Sequence, residues 1–345
     1  MPTAPAPTGV RAHVVEVVSG RELELAAGIG SMAWAPGGQR LAVANNDQGL
    51  VVIDLRTGNA AQWRTGPCRR AAWAPKGDLL AAWCGAVVIF DGSGKVVREA
   101  AWAGSELAWS PDGVALAAWE TSAMVFEGDK ATLVDGPLTL VRWLDDGRLA
   151  TVGRASDGSV ELRIRTRATG WQAAGAIPVP AGAIGPSISG DGEVVAYAQS
   201  SQNAPAPPQW RVRTVAVAGG RALFTFAGSA PSYPNGPVRF APQSHDVLLH
   251  TDVCGPKWGL AVGKADGTVA VVAESVSPYV AEFSPDGTFV AYTSALSLWI
   301  VPADGSAAPR KLAEGVHGPA GLEWSPDGSR IAFTPFFGGF GACEG

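Results

Sequence analysis

One phrase recurs through this chain and limits what it can fold into. Residues 323–333 read "EWSPDGSRIAF" and residues 282–292 read "EFSPDGTFVAY". Weaker copies precede them: "AWAPGGQRLAV" at 33–43, "AWAPKGDLLAA" at 72–82, "AWSPDGVALAA" at 108–118, "RWLDDGRLA" at 142–150, "SISGDGEVVAY" at 187–197 and "RFAPQSHDVLL" at 239–249. The turn glycines are Gly38, Gly77, Gly113, Gly147, Gly192, Gly287 and Gly328, with Ser244 standing in once, and their spacings run from 34 to 52 residues. A drifting period near forty marks a unit that cannot bury its apolar faces alone and must stack on its neighbours.

Each copy reads as strand, turn, strand. The bulky residue (Trp34, Trp73, Trp109, Trp143, Phe240, Phe283, Trp324) ends an inner strand and packs between units, with only Ile188 breaking the aromatic series. Proline presets φ at the first central turn position, aspartate favours the turn, and glycine supplies positive φ. The apolar run behind the turn is the second strand. "GLVVIDLRTG" (49–58), "AVVIFDGSG" (86–94) and "SLWIVPADG" (297–305) then read as a third strand and turn, with a fourth strand following. Four-stranded sheets apolar on both faces need cover on both sides, which radial stacking supplies. Gly 44, Pro 26, Trp 13 and a hydrophobic share of 47% fit a turn-rich, strand-rich protein.

The W-S-P-D-G-x-x-[IVL]-A-[FY] phrase resembles the TolB-type, WD-repeat-like β-propeller repeat, over roughly residues 10–335. The resemblance implies an all-β fold, a single β-propeller of four-stranded blades, and a role as an interaction platform. The chain departs from true WD repeats in having no Gly-His pair and no Trp-Asp ending the third strand, so their stabilising tetrad is not expected. Eight openings predict eight blades, or seven if the weak 187–197 unit merges with a neighbour. The N-terminal "HVVEVVSGRELELA" (13–26) reads as a third and fourth strand that complete the last blade. Residues 1–9 are expected to be a disordered Pro-rich lead and 336–345 a tail.

Charge and motifs narrow the function. A net charge of -5 argues against a non-specific nucleic-acid binder. No apolar run is built to span a membrane, since the longest uncharged stretch, Gly170 to Gly190, is broken by Pro178, Pro180 and Pro186. The start "MPTAPAPTG" lacks a signal peptide, so the chain as written is cytoplasmic; a mature chain trimmed of its signal, periplasmic or extracellular, would read the same. No G-x-S-x-G elbow occurs, and "GPSIS" at 185–189 fails at its last position. The four histidines are not paired at metal-ligand spacing, and "DGSGK" at 91–95 reads as a hairpin turn rather than a phosphate loop. Neither an enzyme nor a cofactor is expected.

Binding residues are sought on loops and strand edges. The segments "QSSQNAPAPPQW" (199–210) and "FAGSAPSYPNGPV" (226–238) offer Trp210 and Tyr233 as aromatic anchors. Arg163, Arg165 and Arg167 alternate along one strand, and Arg211 and Arg213 repeat the pattern in the next blade, a basic patch suited to a carboxylate-rich partner. Arg142, Arg239, Glu282 and Glu323 precede the bulky residue on inner strands and are expected near the channel, where the last three would form an ion-pair ring. Cys68 and Cys84 flank one blade's first hairpin, which suits a disulfide; Cys254 and Cys343 fall at the same end, and four free thiols fit the sequence equally. The favoured reading is a non-catalytic scaffold that binds another protein or a peptide. The alternatives are a small-molecule or carbohydrate sensor at the channel mouth and the propeller part of a hydrolase system.

Overall fold

The computed structural model describes residues 11–28, 30–134, 136–154, 159–180, 182–200, 210–227, 238–251, 259–274, 276, 280–294, 296–314 and 319–335. The fold is all-β, a propeller of eight antiparallel blades with almost no helix. Blade 1 runs Ser31–Trp34, Arg40–Asn45, Gly49–Asp54 and Ala60–Arg64; blades 2 to 5 repeat this up-and-down order from Arg70–Trp73, Glu106–Trp109, Leu138–Trp143 and Ala183–Ile188. Blade 6 contributes Val247–Thr251, Gly259–Gly263 and Val269–Glu274, with Phe240 bridged to Val247, and blade 7 opens at Ala281–Phe283. The 187–197 phrase builds its own four-stranded sheet, which decides for eight blades over seven. The eighth sheet joins Pro319–Trp324 and Arg330–Pro335 to Arg11–Glu16 and Glu22–Gly28, so the N-terminal strands complete the last blade, with Val15 opposite Ile331.

Within a blade, burial follows strand position. Arg40–Asn45 and Gly49–Asp54 are buried nearly throughout, whereas the outer Val96–Ala100 and Lys130–Val134 are mostly exposed. Middle strands covered on both faces read as continuous apolar runs, and that is what "RLAVAN" and "GLVVID" are.

The repeated phrase closes by a backbone bond from the glycine N–H to the carbonyl three residues earlier, as in Gly113 to Ser110, Gly287 to Ser284 and Gly328 to Ser325. The glycines adopt φ between 65° and 83°. In blade 6, where Ser244 replaces the glycine, the left-handed conformation falls on Gln243 instead (φ 55°). Ala241 N–H still bonds Asp246 O, so the loop spans the same length and one residue must still take that conformation.

Serine adds a second layer where it precedes the turn. Ser110, Ser189, Ser284 and Ser325 each donate to the aspartate two residues on and accept the backbone N–H five residues on, the latter at 2.9–3.0 Å. Burial opposes ionisation at Asp112, Asp191 and Asp327, but these hydrogen bonds outweigh it and hold their carboxyls below the ordinary range. At Asp286 the Ser284 bond is the largest influence and acts in the same direction.

Two compact units divide the chain: Met1–Gly153, Ile164–Ala174 and Pro319–Phe336 form one, and Arg154–Arg163, Gly175–Gly318 and Phe337–Gly345 the other. In the first, aromatic residues staple blade to blade. The indole N–H of Trp34 donates to Glu323 O at 3.0 Å, that of Trp109 to Ala72 O at 2.9 Å and that of Trp143 to Ala108 O at 2.9 Å. Each bond crosses from one inner strand to the preceding blade's, so the same side chain fills the gap and fixes the register. In the second unit, phenylalanine takes this place: Phe240 joins a core with Val212 and Phe226, and Phe283 one with Leu248, Leu260 and Tyr292.

The hydrogen-bond share of the staple is separable by experiment. Trp109 and Trp73 are 9% and 7% exposed, yet Trp73 Nε1 has no partner among the described residues. Trp109→Phe is expected to cost about 1 kcal/mol more than Trp73→Phe in urea unfolding, the net worth of one such bond. Equal costs would mean that the rings act by volume alone.

Candidate interaction surface

The predicted arginine stripe does not form one surface. Arg163, in strand Val160–Arg165, turns back on its own strand and pairs with Glu161 at 2.8 Å. Arg165 is only 3% exposed; its guanidinium donates to Thr151 Oγ1 at 3.3 Å and to Trp171 O at 3.1 Å. Arg167 lies past the strand, at the start of the short 3-10 helix Arg167–Thr169, and pairs with Asp112 at 3.1 Å and Glu127 at 2.6 Å. The strand ends at Arg165, so alternation cannot carry over to Arg167, and Arg165 points to the protein interior. Arg167 therefore ties blade 4 to blade 3, while Arg165 is held within blade 4.

Arg211 and Arg213 behave differently. They stand on strand Trp210–Ala216, opposite Ala227 and Thr225, and both are exposed while Val212 and Thr214 between and beyond them are buried. Neither makes an ion pair with a described residue. Two guanidiniums on alternate positions of a rigid middle strand offer planar, bidentate donors at fixed spacing, a geometry matched to carboxylates. Residue 210 opens this strand; its side chain, Tyr233, and the segments 201–209 and 228–237 lie outside the described residues, as do Cys254 and Cys343.

The inner-strand charges resolve in part. Arg239 pairs with Glu282 at 2.9 Å. Burial raises the Glu282 carboxyl above its ordinary value and outweighs the opposing pull of Arg239, although 27% of the side-chain surface stays open. A carboxylate reached by solvent through a narrow opening, with protein on its other sides, loses hydration in this way. Arg142 and Glu323 lie on inner strands Leu138–Trp143 and Pro319–Trp324, with Glu323 exposed. A pair that the sequence reading missed, Arg70 to Glu106 at 2.6 Å, joins the inner strands of blades 2 and 3. Both residues stand three before the aromatic of their phrase, a spacing visible in "RAAW" and "ELAW". Cys68 and Cys84 form a disulfide with a Cα–Cα distance of 4.1 Å. No described helix is long and apolar enough to cross a membrane.

Solved β-propeller structures share the fold. The Sqt1 of Chaetomium thermophilum is 16% identical to this chain with a TM-score of 0.61, covering 89% of this chain and 92% of its own. Sqt1 bound to the N-terminus of the ribosomal protein L10 is also 16% identical, with a TM-score of 0.59 over 88% and 93% of the two chains. The β-propeller domain of Myceliophteria thermophila Cps50 (Swd1) is 14% identical, with a TM-score of 0.50 over 89% and 96%. No protein-family model and no curated protein sequence matches the chain. At such identities the likeness establishes the fold alone.

Proposed function

We propose that this propeller is a non-catalytic scaffold that binds an acidic segment of another protein through Arg211 and Arg213. The observation that carries the reading is a contrast among arginines. Arg163, Arg165, Arg167 and Arg239 are all engaged by neighbouring groups, while Arg211 and Arg213 stand exposed on a chain of net charge -5. Surface cations held by a strand and left without internal carboxylates are available to a partner's. Sqt1, which shares the fold, is known bound to a terminal segment of another protein, a precedent for peptide capture by such a ring. The flanking segments that carry Trp210 and Tyr233 would add apolar contacts. The TolB-type reading rests on the W-S-P-D-G phrase, and the Cys68–Cys84 bridge favours an oxidising compartment over the cytoplasm.

Affinity capture from the native host tests this. Wild type is expected to return one stoichiometric partner, and Arg211→Glu/Arg213→Glu at least tenfold less of it at unchanged melting temperature. Trp210→Ala/Tyr233→Ala reports separately on the loops. Equal recovery by wild type and the arginine variant, or no stoichiometric partner for either, overturns the proposal.

A further inference from the structure

The turn of blade 5 differs from its siblings in what surrounds its aspartate. Asp191 Oδ1 accepts the Ser189 hydroxyl at 2.5 Å and the Glu193 N–H at 3.0 Å, which fixes the carboxylate and leaves Oδ2 facing outward. There it meets Nε2 of His245, from the turn of blade 6, at 2.8 Å. The residue after the turn glycine is Val114, Thr288 or Ser329 in the other serine-bearing turns, and Glu193 here. Ligand atoms of Asp191, Glu193 and His245 all lie within 4.8 Å of one another. The corresponding outward oxygen of Asp112 instead meets the cation Arg167. In blade 5 two carboxylates face one imidazole, and Glu193 makes no ion pair with a described residue, so negative charge is left over.

We propose that Asp191, Glu193 and His245 form a binding site for a divalent transition-metal ion of the Zn2+ class, which clamps blade 5 to blade 6. The donor set selects the ion. An imidazole nitrogen with two carboxylate oxygens suits Zn2+, Co2+ or Ni2+, whereas Mg2+ and Ca2+ take oxygen ligands. Bonds of about 2.0–2.2 Å put tetrahedral ligand atoms roughly 3.3 Å apart, and the side chain of exposed Glu193 can swing over the remaining distance. Asp191 needs no such movement, because Ser189 and the backbone already orient it as outer-shell partners orient metal ligands. Three protein ligands leave a position for water or for a group on another molecule. The site is independent of the arginine surface proposed above.

The test uses the full chain without an affinity tag, treated with chelator and titrated with Zn2+ and with Co2+. One equivalent of Zn2+ is expected to bind saturably in the micromolar range, Co2+ to develop visible absorption, and saturating Zn2+ to raise the melting temperature as a native-state ligand does. His245→Gln and Glu193→Gln should each weaken binding at least tenfold and abolish the shift in melting temperature. Both side chains are solvent-accessible, so both variants should fold, and matching far-ultraviolet dichroism confirms it. Absence of saturable one-to-one binding overturns the site and leaves a plain Asp191–His245 ion pair. Saturable binding that survives both substitutions, or that Mg2+ competes away at equal concentration, overturns it as well.

Discussion

Replacing Cys68 and Cys84 together by alanine is expected to lower the unfolding free energy by about 3 kcal/mol, the loop-closure entropy returned to a chain whose crosslinked residues are 16 apart. The native state has little to lose beyond the bridge itself. Cys68 is fully buried, its N–H bonds Asn45 O, and the strands it precedes stay paired through Arg70 and Trp83. The effect therefore resides in the unfolded ensemble, which expands when the crosslink is removed. Urea unfolding should show this as a lower midpoint together with a steeper dependence on denaturant. Wild type held in reductant should follow the variant. A loss below about 1 kcal/mol, with no change in slope, would mean that the cysteines are thiols in the working protein, and the oxidising compartment would fall with them.

The fold was legible because its signal is repeated and local. Proline, aspartate and glycine in varying combination state the turns, the aromatic just ahead of the turn states the inner strand in all but the Ile188 copy, and eight copies outvote any weak one such as "SISGDGEVVAY". The serine of the phrase carries as much of the turn as its aspartate, yet its role appears only when its hydroxyl is seen between Asp327 and the Arg330 N–H. Charge was harder to read. Alternation in "ELRIRTR" treats three arginines alike, but the strand ends at Arg165, and what the Arg165 and Arg167 guanidiniums meet depends on Thr151, Asp112 and Glu127, which lie 14 to 55 residues away. The same blindness hid the Asp191–His245 contact, since histidine spacing along the chain says nothing about two turns placed side by side by stacking.

Acidification from pH 7.5 to 5 is expected to cost wild type about 2 kcal/mol through one residue, His250. This side chain is 8% exposed, stands opposite Leu260 on strand Val247–Thr251, and its Nε2 has no hydrogen-bond partner among the described residues. Burial alone lowers its pKa from the ordinary 6.5 to about 4. The sign follows from where the proton goes. Below pH 6.5 the unfolded chain takes up a proton that the folded one refuses, so stability drops as pH falls and stops dropping near pH 4, where both forms are charged. Blade 7 carries Thr293 at the same place in its phrase, also buried and without a partner for its hydroxyl among the described residues, but with nothing to titrate. His250→Leu keeps the volume and removes an unsatisfied polar group, so it should match or exceed wild type at pH 7.5. At pH 5 its advantage should grow by about 2 kcal/mol, read as the difference in urea midpoints between the two chains. Glu282, raised by burial, works in the opposite direction, gaining stability as its carboxyl protonates; the turn aspartates, held low, lose theirs only below the ordinary carboxylate range. Both contributions are common to the two chains and cancel in the comparison. If wild type and His250→Leu instead move in parallel between pH 7.5 and 5, the imidazole is charged inside the blade, and a carboxylate must reach it when the protein is acidified.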